Sequence, residues 1–440
     1  MSRRIRSALS VMLAAPTTAL AFEAVDTIPW PASPPLPVMT SGSSQATPAS
    51  SNFPAYPRDD VRPTTLWAEI GLMNDSNPFR LSDAVSSSAV LGTAKKSDTV
   101  ARYGGGIRTE QRVYGRQRIF LEARGDYYDY SRFDELDNFA YALNGEWRWE
   151  LGNQLSGAIG VGRLQRNADP AEVQRPVKET IVDDRAFANG AYQFAPEWRV
   201  RGALEGDQAS RERPGLDSLD TSSRTVRVGV DYFTALNNSI GVEARTSEGD
   251  APVNTLVDPA GELVGNQYKE REVALVATYG ATAQIRFGGR LGHTERTYSE
   301  LSDRDFSGTT WRANVEWLPG NKTILGFETY KAPQSVIDVA AAHVVVRGSA
   351  FTLSWAPTIK WVVGARIFQE DRQGVGTPES VLLGAPVRDD TVRGFRVGLG
   401  WEPVRFAQVG VGYQNVKRTS SEVLRDYDDQ IASINLMIRF

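Results

Sequence analysis

"DNFAYALNGEWRWEL" (residues 137–151) carries large apolar side chains at alternate positions and hydrophilic ones between them. Phe139, Tyr141, Leu143, Trp147 and Trp149 fall on one face. Asn138, Asn144, Glu146, Arg148 and Glu150 fall on the other. A period of two marks a β-strand with two chemically different sides. A soluble sandwich produces such a strand once or twice, with Val and Ile turned inward. Whether the pattern recurs, and how its copies are joined, therefore decides the fold.

It recurs from residue 64 onward. Ile119, Leu121, Ala123 and Tyr127 stand against Arg118, Glu122, Arg124 and Asp126. Trp198, Val200 and Leu204 stand against Arg199, Arg201, Glu205 and Asp207. Val226, Val228, Val230 and Tyr232 oppose Arg227 and Asp231, and Ile285, Phe287 and Leu291 oppose Arg286 and Arg290. Trp311, Ala313, Val315 and Trp317 alternate with Arg312, Asn314 and Glu316. The second face is densely charged in both signs.

The connections alternate as well. "LGNQ" at 151, "FAPE" at 194, "ALNNS" at 235, "YGAT" at 279, "LPGN" at 318, "WAPT" at 355 and "WEPV" at 401 hold the Gly, Pro and Asn that tight hairpins need. Between them lie longer hydrophilic stretches such as 166–183, 208–223, 249–266 and 372–388. Short turns at one end and long loops at the other is the asymmetry of outer-membrane barrels. Trp147, Trp149, Phe194, Trp198, Trp317, Trp355, Trp361, Trp401 and Phe406 cluster near the tight turns, as an interfacial girdle does. The pattern predicts an all-β chain: a transmembrane antiparallel up-and-down β-barrel of about eighteen strands over 64–440, with sixteen as the competing count. The least secure strand is the second, where "YGGGIR" brings three glycines together.

Composition agrees once its averaging is understood. A mean hydropathy of −0.34 with 23% charged residues reads as soluble, yet alternation cancels in any average and hides a barrel. Beyond the first residues no apolar run is long enough for a transmembrane helix. "MSRRIRSALSVMLAAPTTALA" reads as a signal peptide over 1–21, with Arg3, Arg4 and Arg6 before an apolar segment and Ala19-Leu20-Ala21 at the cleavage site. A membrane anchor is the alternative, weakened by Pro16 and the short apolar run. Removing those three arginines takes the formal charge from −4 to −7, which argues against a nucleic-acid partner. Cysteine is absent, so no disulfide framework is available. Residues 22–63, rich in Pro, Ser, Ala and Thr, read as an extended periplasmic tether; the alternatives are a lumen plug or a partner-binding segment. The final strand "QIASINLMIRF" ends on Phe440, resembling the terminal signal read by the barrel-insertion machinery.

Strand parity nominates the lining of a hydrated lumen: Arg118, Glu122, Arg124, Glu146, Arg148, Arg199, Arg201, Glu205, Arg227, Asp231, Glu243, Arg245, Arg286, Arg290, Arg312, Glu316, Arg366 and Arg396. Mixed signs point to transverse Arg–carboxylate pairs, which either hold the barrel round or let a hydroxyl-rich or anionic polymer slide. Catalytic motifs are thin. His293 and His343 stand near the long-loop ends of strands, His293 with Ser299, Asp303 and Asp305 in the loop beyond it. By parity His293 points to lipid, and no nucleophile motif surrounds it, so a rim hydrolase is a minor reading. The acidic stretches "LSDRDFSG" and "LRDYDDQ" lack calcium-loop spacing. Nothing calls for a cofactor or a metal.

The segment "GLMNDSNPFRLSD" (71–83), then "KKSDTV" (95–100) and "RIFLEARGDYYDYSRFDELDNFAYALNGEWRWEL" (118–151), resembles the exosortase-associated exopolysaccharide-biosynthesis outer-membrane proteins of the EpsL type. The corresponding motif positions are Asn77, Phe79, Arg80, Leu81, Ser82 and Asp83, followed by Tyr141, Trp147 and Trp149. The resemblance implies an outer-membrane barrel in the export of an exopolysaccharide chain, with periplasmic secretion components and outer-membrane lipid as partners and no catalytic residues. A general or small-solute porin is the alternative that the residues alone equally allow.

Overall fold

The computed structural model describes residues 64–168, 178–211, 220–236, 238–250, 267–299, 305–335, 341–376 and 388–440. The expected signal peptide and tether, and much of the four long loops named above, lie outside them. Eighteen antiparallel strands form one sheet closed on itself. They are β1 (Thr64–Asp75), β2 (Asp98–Tyr114), β3 (Gln117–Tyr130), β4 (Asn138–Leu151), β5 (Leu155–Asn167), β6 (Thr180–Ala195), β7 (Trp198–Arg211), β8 (Thr221–Phe233) and β9 (Ser239–Asp250). The second half follows as β10 (Gln267–Gly280), β11 (Ile285–Tyr298), β12 (Phe306–Gly320), β13 (Thr323–Ser335), β14 (Ala341–Thr358), β15 (Trp361–Gly376), β16 (Asp389–Val404), β17 (Ala407–Ser420) and β18 (Tyr427–Arg439). Each strand pairs with its sequence neighbours, and β1 also pairs with β18 from Trp67↔Arg439 to Asp75↔Ile431. Closure leaves no sheet edge, which is the condition for placing β-structure in a bilayer. At the seam the Phe440 amide donates to the Leu66 carbonyl at 2.8 Å.

The tight turns gather at one end. Tyr114↔Gln117, Ala195↔Trp198, Gly320↔Thr323, Thr358↔Trp361 and Val404↔Ala407 each close a two-residue hairpin. Gly115 and Gly152 take positive φ there, the conformation that such turns demand. The glycine run 104–106 does not interrupt β2. A Cβ on Gly106 would lie 2.8 Å from Cη2 of Trp67, whose buried indole reaches across from β1. Gly106 thus makes room for a large ring turned inward, while Gly104 clears the Asp126 carboxylate and Gly105 the Trp67 carbonyl.

One face of every strand is exposed and apolar: Leu121 (50%), Phe139 (52%), Val228 (55%) and Leu291 (56%) represent it. The opposite, buried face holds charge, for example Glu69, Glu122, Asp126, Glu243 and Glu272. This pattern does not persist to the long-loop end of β14–β18. There apolar side chains enter the inward face beside closed pairs such as Arg418–Asp390: Ala350, Phe368, Val392 and Val416 form one buried cluster, and Met73, Val100 and Tyr128 of β1–β3 form another with Ile431 of β18 across the seam. The outward positions of the same stretches are polar, with Ser349 and Arg347 beyond Phe351, Arg393 beyond Phe395, and Asn415 and Lys417 beyond Tyr413. The expectation of a uniformly charged interior is corrected here. Where a strand leaves hydrocarbon for water, the ordinary soluble arrangement returns, apolar inside and polar outside.

Candidate channel lining and mouth

The inward face of β6–β11 is built from arginines and carboxylates. Parity turns them to the concave side, where side chains converge and reach across one or two strands. Asp231 on β8 meets Arg199 at 2.8 Å and Arg201 at 3.1 Å, both from β7. Arg201 also pairs with Glu243 on β9. Glu243 meets Arg290 of β11 at 2.6 Å, and Arg290 meets Glu272 of β10 at 2.8 Å. Glu272 continues to Arg245 at 3.1 Å; Arg245 pairs with Glu270, and Glu270 meets Arg296 at 2.7 Å. The result is one unbroken chain, Arg199–Asp231–Arg201–Glu243–Arg290–Glu272–Arg245–Glu270–Arg296, in which every interior member touches two opposite charges. A neighbouring trio runs Arg185–Glu205–Arg227, the second link at 2.7 Å. Burying single charges is costly, and alternation is what makes so many tolerable on one wall.

The other nominated residues are placed as follows. Glu122 meets Arg108 at 2.8 Å, Arg124 meets Asp126 at 2.6 Å, Arg118 meets Glu110 at 2.9 Å and Arg148 meets Glu146 at 2.7 Å. Arg366 stands 3.8 Å from Glu328. Arg312 lies over the Tyr330 ring at 5.4 Å, and Arg396 over Phe368 at 5.9 Å. Register sets Arg286 opposite Glu316 near the short-turn end, the two on the same face. Parity would equally have marked Glu69, Arg102, Asp126, Glu270, Glu272 and Arg296. Of these, Arg102 makes a bidentate contact to Glu69 (3.1 Å for each arm) and also donates to Asp126 at 2.8 Å.

The mouth at the long-loop end is shaped by the connection 76–97. Asn77 organises it: its amide nitrogen donates to the carbonyls of Leu81 (2.9 Å) and Asp428 (3.2 Å), and its side-chain oxygen accepts from the Leu81 amide at 2.9 Å. Arg80, at φ 54°, is held in a left-handed conformation that non-glycine residues rarely take. Its Nη1 donates to the Asn77 carbonyl at 2.6 Å and pairs with Asp75 (3.3 Å) and Asp429 (3.0 Å). Those two aspartates are buried and belong to β1 and β18, so Arg80 pins the connection to both sides of the closing seam. Phe79 packs edge-on against Phe133 with ring centroids 4.9 Å apart, and Leu136, Leu81, Leu91 and inward-facing Tyr130 complete the cluster. Lys96 ties the far end back, reaching the Ser82 carbonyl at 3.0 Å and Asp83 at 2.9 Å. The motif residues 77–83 therefore form a built cap folded inward over one side of the mouth.

His293 stands on the outward face and is exposed. Its Nε2 is 3.2 Å from Ser307 Oγ and 3.6 Å from Glu295 Oε1. Both neighbours address the same nitrogen, whereas a nucleophile–base–acid relay needs the acid on the other one. The side chain of His343, and Asp303, lie outside the described residues. Among the described residues no group of three metal-type ligands occurs.

No family model and no curated protein matches this chain. Among solved structures it is similar to OpdK from Pseudomonas aeruginosa, determined with vanillate: TM-score 0.46 at 10% identity, covering 86% of this chain and 99% of that one. A BenF-like porin from Pseudomonas fluorescens Pf-5 gives 0.46 at 10%, covering 86% and 98%. The alcaligin outer-membrane receptor FauA from Bordetella pertussis gives 0.41 at 12%, covering 85% and 76%. At such identity and overlap the likeness is one of barrel architecture, and the functional reading below rests on this chain's own side chains.

Proposed function

We propose that the protein is an outer-membrane channel of porin type, passing small hydrophilic solutes through a lumen narrowed at its mouth by residues 76–97. Barrels of this strand number leave an aqueous channel unless something fills it. The observation that carries the reading is the inward-folded cap, locked to Asp75 and Asp429 by Arg80. A mouth narrowed by a fixed loop suits solutes better than a polymer chain. Because the Arg–carboxylate wall alternates in sign, the channel discriminates weakly between anions and cations.

The likeness of Asn77–Asp83 to the exopolysaccharide-associated family favours a second reading, export of a hydroxyl-rich polymer, which needs the cap to swing aside. Planar-bilayer conductance together with liposome swelling separates the two. Glucose-sized solutes should enter liposomes readily while glucose oligomers become excluded as they lengthen, with or without residues 22–63. Free passage of long oligomers, above all after deletion of 22–63, would turn the reading to export. Absence of conductance in both forms would mean a sealed barrel and end both.

A further inference from the structure

Cations on the outer face of the barrel occur in two settings. On β5–β10 each has a carboxylate beside it. Arg163 meets Asp184 at 3.5 Å and Arg271 is registered opposite Glu295, while Lys269 and Arg224 flank and share Glu248, Lys269 at 2.5 Å. On β13–β17 the register instead sets like against like: Lys331 opposite Arg347, and Arg393 opposite Lys417. Directly opposed like charges destabilise a sheet. Among the described residues none of these four makes an ion pair. One carboxylate ends each row, so each row of two cations keeps one positive charge in excess. Asp371, opposite Arg347, accepts from Gln369 (3.2 Å) and Thr391 (3.0 Å). Asp428, opposite Lys417, accepts from Asn415 at 3.0 Å. Lys331 keeps its Nζ 5.5 Å over the Trp311 ring.

Their depth is equally specific. Arg393 lies two residues beyond Phe395, while Lys417, Arg347 and Lys331 lie four beyond Tyr413, Phe351 and Phe327, the last outward-facing rings of their strands. At about 3.3 Å per residue along strands tilted by about 40°, the charges rise roughly 5–10 Å past those rings along the barrel axis. Outward-facing aromatic rings mark the edge of the hydrocarbon, so the cations stand at headgroup depth in the leaflet on the long-loop side. The inward side chains at this level are Val392 and Val416 with two pairs closed on themselves, Arg372–Glu370 at 2.8 Å and Arg418–Asp390 at 2.5 Å, so the inner carboxylates are already matched by inner arginines.

We propose that the outer face of β13–β17 at the long-loop end binds a phosphate-bearing lipid headgroup, one phosphate bridging Arg393 and Lys417 and a second reaching Arg347 and Lys331. Arginine offers a fork to phosphate oxygens and lysine a point charge. Directly opposed residues, their Cβ atoms about 5 Å apart, bring two such groups onto a single phosphate. The site is independent of whether the barrel conducts.

Native mass spectrometry of the full-length barrel in detergent, with diphosphorylated lipid A as the probe, tests it. R393Q/K417Q should weaken binding on the order of twentyfold, since each basic group near a headgroup contributes about fivefold. R163Q/R271Q, which removes the same charge from positions each matched by its own carboxylate, should bind as wild type does. Dephosphorylated lipid A should bind poorly to all forms. Undiminished binding by R393Q/K417Q, an equal loss in R163Q/R271Q, or equal binding of the dephosphorylated lipid would overturn the proposal. So would a doubled mass that R393Q/K417Q abolishes, which would make the patch an interface between copies. Should R393Q/K417Q not fold, by its heat-modifiable gel migration, the salt dependence of the wild type decides: retention of the lipid at 0.5 M salt, roughly a 4 Å screening length, would refute a headgroup contact.

Discussion

Glu243 is the link on which the interior chain of charges turns, and Glu243→Ala shows what that chain is worth. The substitution removes the contacts to Arg201 and Arg290 together, from a side chain only 5% exposed. A hydrogen bond to a charged group contributes roughly 1.5–3 kcal/mol, and two such losses set an upper bound of about 6 kcal/mol. The guanidinium groups are not stranded, however. Arg201 keeps Asp231 at 3.1 Å and Arg290 keeps Glu272 at 2.8 Å. Both are also partly open to the lumen, at 17% and 28% exposure. The expected cost is therefore about 2–4 kcal/mol, below the roughly 3–5 kcal/mol of leaving a buried charge alone. Urea unfolding of the barrel in liposomes, followed by tryptophan fluorescence, measures it. Glu243→Gln, which keeps the shape and loses the charge, should fall between. The same variants each remove one negative charge from the wall, so the reversal potential in a salt gradient should move toward anions. An E243A barrel within about 0.5 kcal/mol of wild type, with an unmoved reversal potential, would refute both the continuity of the chain and its exposure to the conducting path.

Arg80→Ala should free the mouth. It leaves Asp75 and Asp429 facing each other without their cation, destabilising the cap by about 3–5 kcal/mol; single-channel conductance and the size limit in liposome swelling should both rise, and Arg80→Lys should lie between. Unchanged conductance in a folded R80A barrel would mean that residues 76–97 do not narrow the path. On the lipid side, Val228→Arg, at a position 55% exposed between Val226 and Val230, should cost about 2–4 kcal/mol in the same unfolding assay. Ala203→Ser, on the neighbouring strand and opposite inward-facing Arg227, should cost much less, and equal penalties at the two positions would reverse the assignment of faces.

The period of two made the strands legible because lipid demands it on one face of every strand, and turn residues set the boundaries between them. Partners were not legible. Parity places Arg290 and Glu243 on the same face, yet that Arg290 on β11 reaches past β10 to β9 depends on the curvature of a closed sheet, which no local pattern encodes. The glycines at 104–106 weaken the expectation of a strand because their reasons stand on the neighbouring strands, Gly106 facing the Trp67 indole of β1 and Gly104 the Asp126 carboxylate of β3. Phe79 and Phe133 meet across two loops, a contact that neither loop's composition announces. The reversal of polarity near Phe395 escaped for a simpler reason: alternation with charge outward has the same period as alternation with charge inward, and period alone carries no sign.

That reversal fixes where the barrel stands in its membrane. Were the upper parts of β13–β17 inside hydrocarbon, Arg347 and Arg393 would each cost up to about 2–4 kcal/mol, and the buried valines behind them would face the lumen for no gain. Raised above the hydrocarbon, both features make sense together. A rim that projects into water has no lipid pressing on it, so its strands must be held from within, and the clusters around Val392 and around Val100 supply that packing. Arg80, Asp75 and Asp429 lock the seam at the same level. The cap on residues 76–97 thus rests on a rim with a hydrophobic core of its own. A mouth supported in this way can hold a fixed aperture while the charged wall below it remains solvated.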